Sequence, residues 1–186
     1  MSLRIGFLRG INVGGKNLIS MSDLKIPFLD LGFQLVETVG NTGVVIFGNN
    51  PVAISDQLIV NAIGQKTSIA VKFISISYTD LATLINKAPT WWGEDNTWRH
   101  NAIFLTENHM VKSVISEIPE LNNDDEKMYL INNTIIWSTN FADRKRYNRS
   151  QYHKLMRNAH YPFMTIRNAN TLKKAYVTAA KLLDLT

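Results

Sequence analysis

The stretch Leu3-Arg4-Ile5-Gly6-Phe7-Leu8, running on through Arg9-Gly10-Ile11-Asn12-Val13-Gly14-Gly15-Lys16-Asn17, decides how the chain is read. Residues 3–8 are a short apolar run that reads as a buried strand. A glycine-rich loop, Gly10 to Asn17, follows. Ser22 then stands where a helix cap belongs, ahead of Leu24, Phe28 and Leu31 on one face, with Gly32 as terminator. Pro27 is tolerated only in a helix's first turn, so this helix is expected to start late or bend.

Working outward, Gln34 to Val39 and Val44 to Phe47 are β-rich runs split by Gly40-Asn41-Thr42-Gly43, which makes a hairpin. Ser55 to Lys66 carries Leu58, Ile59, Ala62 and Ile63 at helical spacing. Ala70 to Ser77 alternates as a strand, and Thr79 caps a short helix with Leu81, Leu84 and Ile85. The first half is therefore β-α-β-β-α-β-α. The order recurs: strand Asn101 to Leu105, helix Met110 to Ile118, hairpin Lys127 to Asn132 with Thr134 to Ser138, helix Arg149 to Asn158, strand Pro162 to Arg167, and a last helix capped by Asn170. The expected fold class is α+β, with two ferredoxin-like (βαββαβ) halves, each an antiparallel sheet covered by two helices, in a topological duplication. The boundaries read as residues 1–88, a Trp-rich linker at 89–100, and residues 101–186. Trp91, Trp92 and Trp98 in the linker are expected to fold down onto something or to dock a second copy of the chain, because three indoles are not left in water.

With 186 residues and 45% hydrophobic composition, two halves of about 90 residues can each build a core. No apolar run reaches the roughly 18 residues of a membrane span, so no membrane partner is expected. The N-terminus lacks a secretory pattern, and a cytoplasmic location follows as an expectation. The absence of cysteine excludes disulfides, thiolate metal sites and cysteine nucleophiles. His100, His109, His153 and His160 show no i, i+4 pairing, so no metal or other cofactor is expected.

The net charge of +5 is unevenly spread. From Asp143 to Lys174 there are nine Lys or Arg against one acid, whereas Glu120 to Glu126 is acidic. A concentrated basic stretch suits an anionic partner, and it reads equally as a solvated helix face. Within it, Arg144, Arg146, Tyr147 and Arg149 interleave cations with a ring. Charges of that kind can track a nucleic-acid backbone while rings stack on bases.

Two further motifs sit at strand-to-helix junctions. Gly10 to Asn17 spells G-x-x-x-x-G-K-N, one residue from a phosphate-binding P-loop, but Asn17 has no hydroxyl to hold magnesium. Arg9, Asn12, Lys16 and Asn17 are the candidate ligand groups there, and a tight glycine turn shaping the strand exit is the alternative. Near the other end, Arg167 offers a planar fork for phosphate and Asn168 an amide for a base edge or ribose. The acids Asp124, Asp125 and Glu126 read as a solvated loop cluster. No residues assemble a nucleophile, a base and an orienting group, so the catalytic residues are unknown.

Leu8-Arg9-Gly10-Ile11-Asn12-Val13-Gly14-Gly15-Lys16-Asn17, the segment Met21 to Phe33, and Thr165-Ile166-Arg167-Asn168-Ala169-Asn170-Thr171 together resemble the family called domain of unknown function 1697. The resemblance covers nearly the whole chain and implies a bacterial-type cytoplasmic α+β protein with no settled activity. Where the family usually carries Ser-Gly-Asn-Val, this chain has Thr42-Gly43-Val44-Val45, so Val44 replaces the family's amide.

The functional expectation is a binding module for a phosphate-bearing ligand, a nucleic acid or a nucleotide, held in a basic cleft between the halves by Arg9, Asn12, Lys16, Arg167 and Asn168. An enzyme acting on a phosphorylated or nucleotide substrate is one alternative. A scaffold or homo-oligomer using the Trp91–Trp98 segment is the other.

Overall fold

The computed structural model describes residues 2–106 and 110–184, so His109 lies outside the described residues. The first elements are β1 (Leu3–Arg9), α1 (Met21–Asp30), β2 (Leu35–Val39), β3 (Val44–Gly48), α2 (Asp56–Thr67), β4 (Lys72–Ser77) and α3 (Tyr78–Lys87). Then come β5 (Trp98–Leu105), α4 (Met110–Ser116), β6 (Glu126–Ile131), β7 (Thr134–Asn140), α5 (Arg144–Arg149), α6 (Gln151–Lys154), β8 (Met164–Asn168) and α7 (Ala169–Asp184). The chain is α+β, with two four-stranded antiparallel sheets. It divides into two compact units, Met1–Thr83 with Thr171–Thr186, and Leu84–Asn170. The body of the last helix thus groups with the N-terminal residues.

In the first unit the strand order is β2-β3-β1-β4. Alternation puts Gly6 and Leu8 of β1, Val45 and Phe47 of β3, and Phe73 of β4 on one face, where they join Leu24, Phe28, Ile59 and Ile63 from α1 and α2 in one core. Gly6 is required by that packing. A Cβ there would lie 2.4 Å from the Phe73 ring and 3.2 Å from the Phe47 ring. Its absence lets the two rings sit 6.1 Å apart across the strand between them. Ile5, Phe7, Val44 and Ile46, on the opposite face, are equally buried. Val44, which stands where the family's amide is expected, is therefore a core residue paired with Phe7 and Val39.

Helix α1 is capped by Ser20, whose hydroxyl accepts from the Asp23 amide at 3.0 Å, and not by Ser22. Pro27 lies within the helix without delaying its start. It is buried, which offsets part of the roughly 3 kcal/mol that an interior proline costs. Ser77, not Thr79, caps α3, accepting from the Asp80 amide at 3.0 Å.

In the second unit the strand order is β6-β7-β5-β8. Ile103, Leu105, Ile135, Trp137 and Met164 meet Val111, Val114 and Leu155 in its core. Strand β5 starts at Trp98, inside the stretch expected to be linker. Trp92 is only 2% exposed, and its indole N–H donates to the Asn101 carbonyl at 3.2 Å. The expected helix over 149–158 is instead one short helix, α6, and a 3-10 turn, Leu155–Arg157, while Arg149 ends a separate helix, α5, over the basic stretch 144–149. Asp143 makes that possible, since its carboxylate accepts from the Lys145 and Arg146 amides.

Glu126 is not a solvated loop acid. It opens β6, is 3% exposed, and accepts from the Trp137 indole at 3.2 Å and from the amides of Gln151 and Tyr152 at 2.7 and 2.8 Å. One carboxylate thus satisfies the first free amides of α6 and ties them to the sheet.

Candidate nucleic-acid interface

In the first unit, the loop after β1 is a miniature hairpin. Asn12 N–H donates to the Asn17 carbonyl at 3.1 Å and Lys16 N–H to the Val13 carbonyl at 3.0 Å. Gly14 and Gly15 between them take φ of 58° and 75°, the left-handed pair that a type I′ turn demands. The candidate amides serve this loop. Asn12 Nδ2 donates to the carbonyls of Ile19 and Asn41, its Oδ1 accepts from Ile19 N–H, and Asn17 Nδ2 donates to the Gly10 carbonyl at 2.7 Å. Lys16 is exposed at the tip, and Arg9 ends β1 opposite Lys72.

In the second unit, Arg167 lies on β8 opposite Ala102, and its Nη1 donates to the Ile166 carbonyl at 2.8 Å. Burial disfavours its charged form and pulls its pKa down to about 10, so it stays cationic at neutral pH. Asn168 Oδ1 accepts from Asn170 N–H at 2.8 Å, so Asn168, not Asn170, caps the last helix.

The basic stretch is built differently. The register sets Arg99 of β5 opposite Thr139 of β7, and Phe141, two residues on, donates its N–H to the Thr97 carbonyl at 2.8 Å. Residues 139 and 141 point the same way as Arg99, which brings ring and cation together. The Arg99 guanidinium carbon lies 3.6 Å from the Phe141 ring centroid. The Asp143 cap then turns the chain so that Tyr147 meets Phe141 edge to face, with centroids 4.8 Å apart at 88°. His153 and Tyr152 extend the cluster, 5.6 and 6.4 Å from Tyr147. Burial first, then the neighbouring tyrosines, pushes the Tyr152 hydroxyl well above its usual pKa, so it is a neutral donor at any physiological pH.

Arg99 is exposed, and so are Arg144, Lys145, Arg146 and Arg149 on the six-residue helix that carries Tyr147. Arg146 is held, its Nη1 donating to Asp125 at 3.3 Å and its Nε lying 3.8 Å from Asp143. Among the described residues, the side chains of Arg99, Arg144, Lys145 and Arg149 donate no hydrogen bond to the protein. Sequence reading missed Arg99, a single cation at the head of a strand. The available signal was the alternation that places it on the face of Asn101 and Ile103.

Among the described residues no cluster of His, Asp and Glu could hold a metal ion. His100 Nδ1 meets Ser138 Oγ at 2.7 Å and its Nε2 the Asp95 carbonyl at 2.9 Å. Ser138 is fully buried, so this pair laces β5 to β7 and offers no accessible nucleophile. No described helix is long and apolar enough to cross a membrane.

The family model described as "Protein of unknown function (DUF1697)" matches residues 1–136. The chain is similar to the structure of a conserved bacterial protein, SP0830 from Streptococcus pneumoniae. They share 29% identity over 96% of this chain and 98% of that one, at a TM-score of 0.76. An unknown protein from Galdieria sulphuraria aligns over 90% of this chain and 96% of its own at 12% identity and a TM-score of 0.24, which carries no argument. No curated protein matches the chain.

Proposed function

Because the chain belongs to the DUF1697 family of unknown function, its role has to be read from its own residues, and we propose that it binds a phosphate-bearing ligand, a nucleic acid or a nucleotide, on the basic and aromatic face of its second unit. The observation that carries this reading is the Arg99–Phe141–Tyr147 stack, whose Tyr147 lies on the same six-residue helix as exposed Arg144, Lys145 and Arg149. Three cations that donate no hydrogen bond within the described protein keep their donors for an anion, and the rings beside them supply stacking surface. Arg146, by contrast, is paired with Asp125 and Asp143, and Arg149 feels the Asp143 charge without an ion-pair contact. Lys16 and Arg167 enter the proposal as separate groups, each to be tested in its own variant.

The test is an electrophoretic or filter-binding assay against RNA, DNA and nucleotides. The paired change Arg144→Gln and Arg149→Gln is expected to weaken binding about tenfold at low salt, uniformly across sequences. Equal binding by the variant, or no binding by the wild type, would reject the reading.

We also infer that each unit is a ferredoxin-like domain and that the two arose by duplication. Support comes from the same strand order in each, β2-β3-β1-β4 and β6-β7-β5-β8. A bacterial, cytoplasmic setting is part of the proposal, supported by the likeness to the Streptococcus pneumoniae protein and a cysteine-free composition.

A further inference from the structure

A guanidinium is flat and has two faces. At Arg99 one face rests on Phe141, at 3.6 Å from the ring centroid, and the residue is nevertheless exposed. Tyr147 steadies the pair from the side, with its own ring centroid 5.5 Å from the guanidinium carbon. A planar cation already seated on a ring has lost much of its rotamer freedom, so a second planar group can stack on it at little further entropic cost. The bases of a duplex have their faces covered by their neighbours, so only an unpaired base can stack there. The three cations of α5 with hydrogen-bonding capacity to spare, Arg144, Lys145 and Arg149, outnumber the single phosphate of a mononucleotide. Arg146, which points into the same turn, is held by Asp125 and Asp143 and is not available to read a groove.

We propose that the ligand is a single-stranded nucleic acid, with one unpaired base stacked on the Arg99 guanidinium above Phe141 while Arg144, Lys145 and Arg149 take phosphates along the strand. This rests on the phosphate-binding reading and adds to it the class of ligand and the residue that selects it. Arg99 contributes stacking as well as charge, so lysine cannot replace it.

The test measures fluorescence anisotropy with labelled strands of about 12 nucleotides. Single-stranded DNA and RNA of one sequence are compared with the matching duplex and with an abasic strand that keeps its phosphates but lacks bases. The wild type is expected to bind a base-bearing single strand, of DNA or RNA, about tenfold tighter than either the duplex or the abasic strand. Arg99→Lys, which keeps the charge and loses the plane, is expected to abolish that preference by weakening binding of the base-bearing strand about tenfold. A normal far-ultraviolet spectrum and melting temperature confirm that the variant is folded. Equal affinity for base-bearing and abasic strands, or a preference that survives in Arg99→Lys, overturns the stacking inference while phosphate binding stands. Failure of the wild type to bind any strand overturns both.

Discussion

The Arg99 guanidinium lies 3.6 Å from the centre of the Phe141 ring, although 42 residues separate the two along the chain. Their meeting is a consequence of register. Arg99 faces Thr139, and Phe141 lies two residues further on the same side. Phe141 is 37% exposed, so part of its ring still reaches the surface. Phe141→Ala is expected to lower single-strand affinity about tenfold while costing about 1 kcal/mol of folding stability, the scale of one cation–π contact and one ring pair. Parallel binding and urea-unfolding curves check both.

Gly6 is the position where the first unit has no room. Gly6→Ala would place a methyl group 2.4 Å from the Phe73 ring. The ring must rotate or the strand must shift, and overpacking of this kind costs about 1–3 kcal/mol. A lowered urea midpoint with unchanged cooperativity is the expected result.

Glu126 holds three donors from a buried position. Glu126→Ala removes the acceptor and leaves the Trp137 indole and two amides of α6 unsatisfied. The expected loss is about 2–4 kcal/mol, with amide exchange at Gln151 and Tyr152 accelerating more than in the first unit's strands. A uniform acceleration across both units would contradict the local role assigned to this carboxylate.

Asp143 gives the turn carrying Arg144, Lys145 and Arg149 a pH dependence. Its carboxylate accepts from the Arg146 and Lys145 amides, and these bonds hold its pKa below the ordinary 3.8. The folded value is depressed, so the cap's contribution is fully present above about pH 3.8 and is lost as pH falls through the lower, folded pKa. The amide proton shifts of Lys145 and Arg146 are expected to titrate with a midpoint below 3.8. In Asp143→Asn, which keeps the cap and removes the titration, they should stay flat.

Much of the fold was legible because its signals are local. The apolar run at Leu3, the hairpin about Gly40 to Gly43, and the turn at Asn132-Asn133 each decide their conformation within a few residues. The caps lie two residues ahead of Ser22, Thr79 and Asn170, because Ser20, Ser77 and Asn168 are equally able acceptors and only the folded backbone selects between them. Helix α5 has no apolar periodicity to betray it, since six residues capped by Asp143 bury nothing. The grouping of the last helix with the N-terminal residues is a long-range fact that no local pattern encodes. At the candidate site, the arginines of α5 stood out by charge density. Arg99 did not, because its role comes from a strand register and a ring 42 residues away.

The salt dependence of single-strand binding tests the central claim most directly. Each phosphate neutralised on a single strand contributes a slope of about −0.7 to the logarithm of affinity against the logarithm of salt concentration. The account predicts a slope of about −2 for the wild type, from three phosphates at Arg144, Lys145 and Arg149, and a slope no steeper than about −0.7 when all three are changed to Gln. An affinity indifferent to salt, or a triple variant with the wild-type slope, would contradict it.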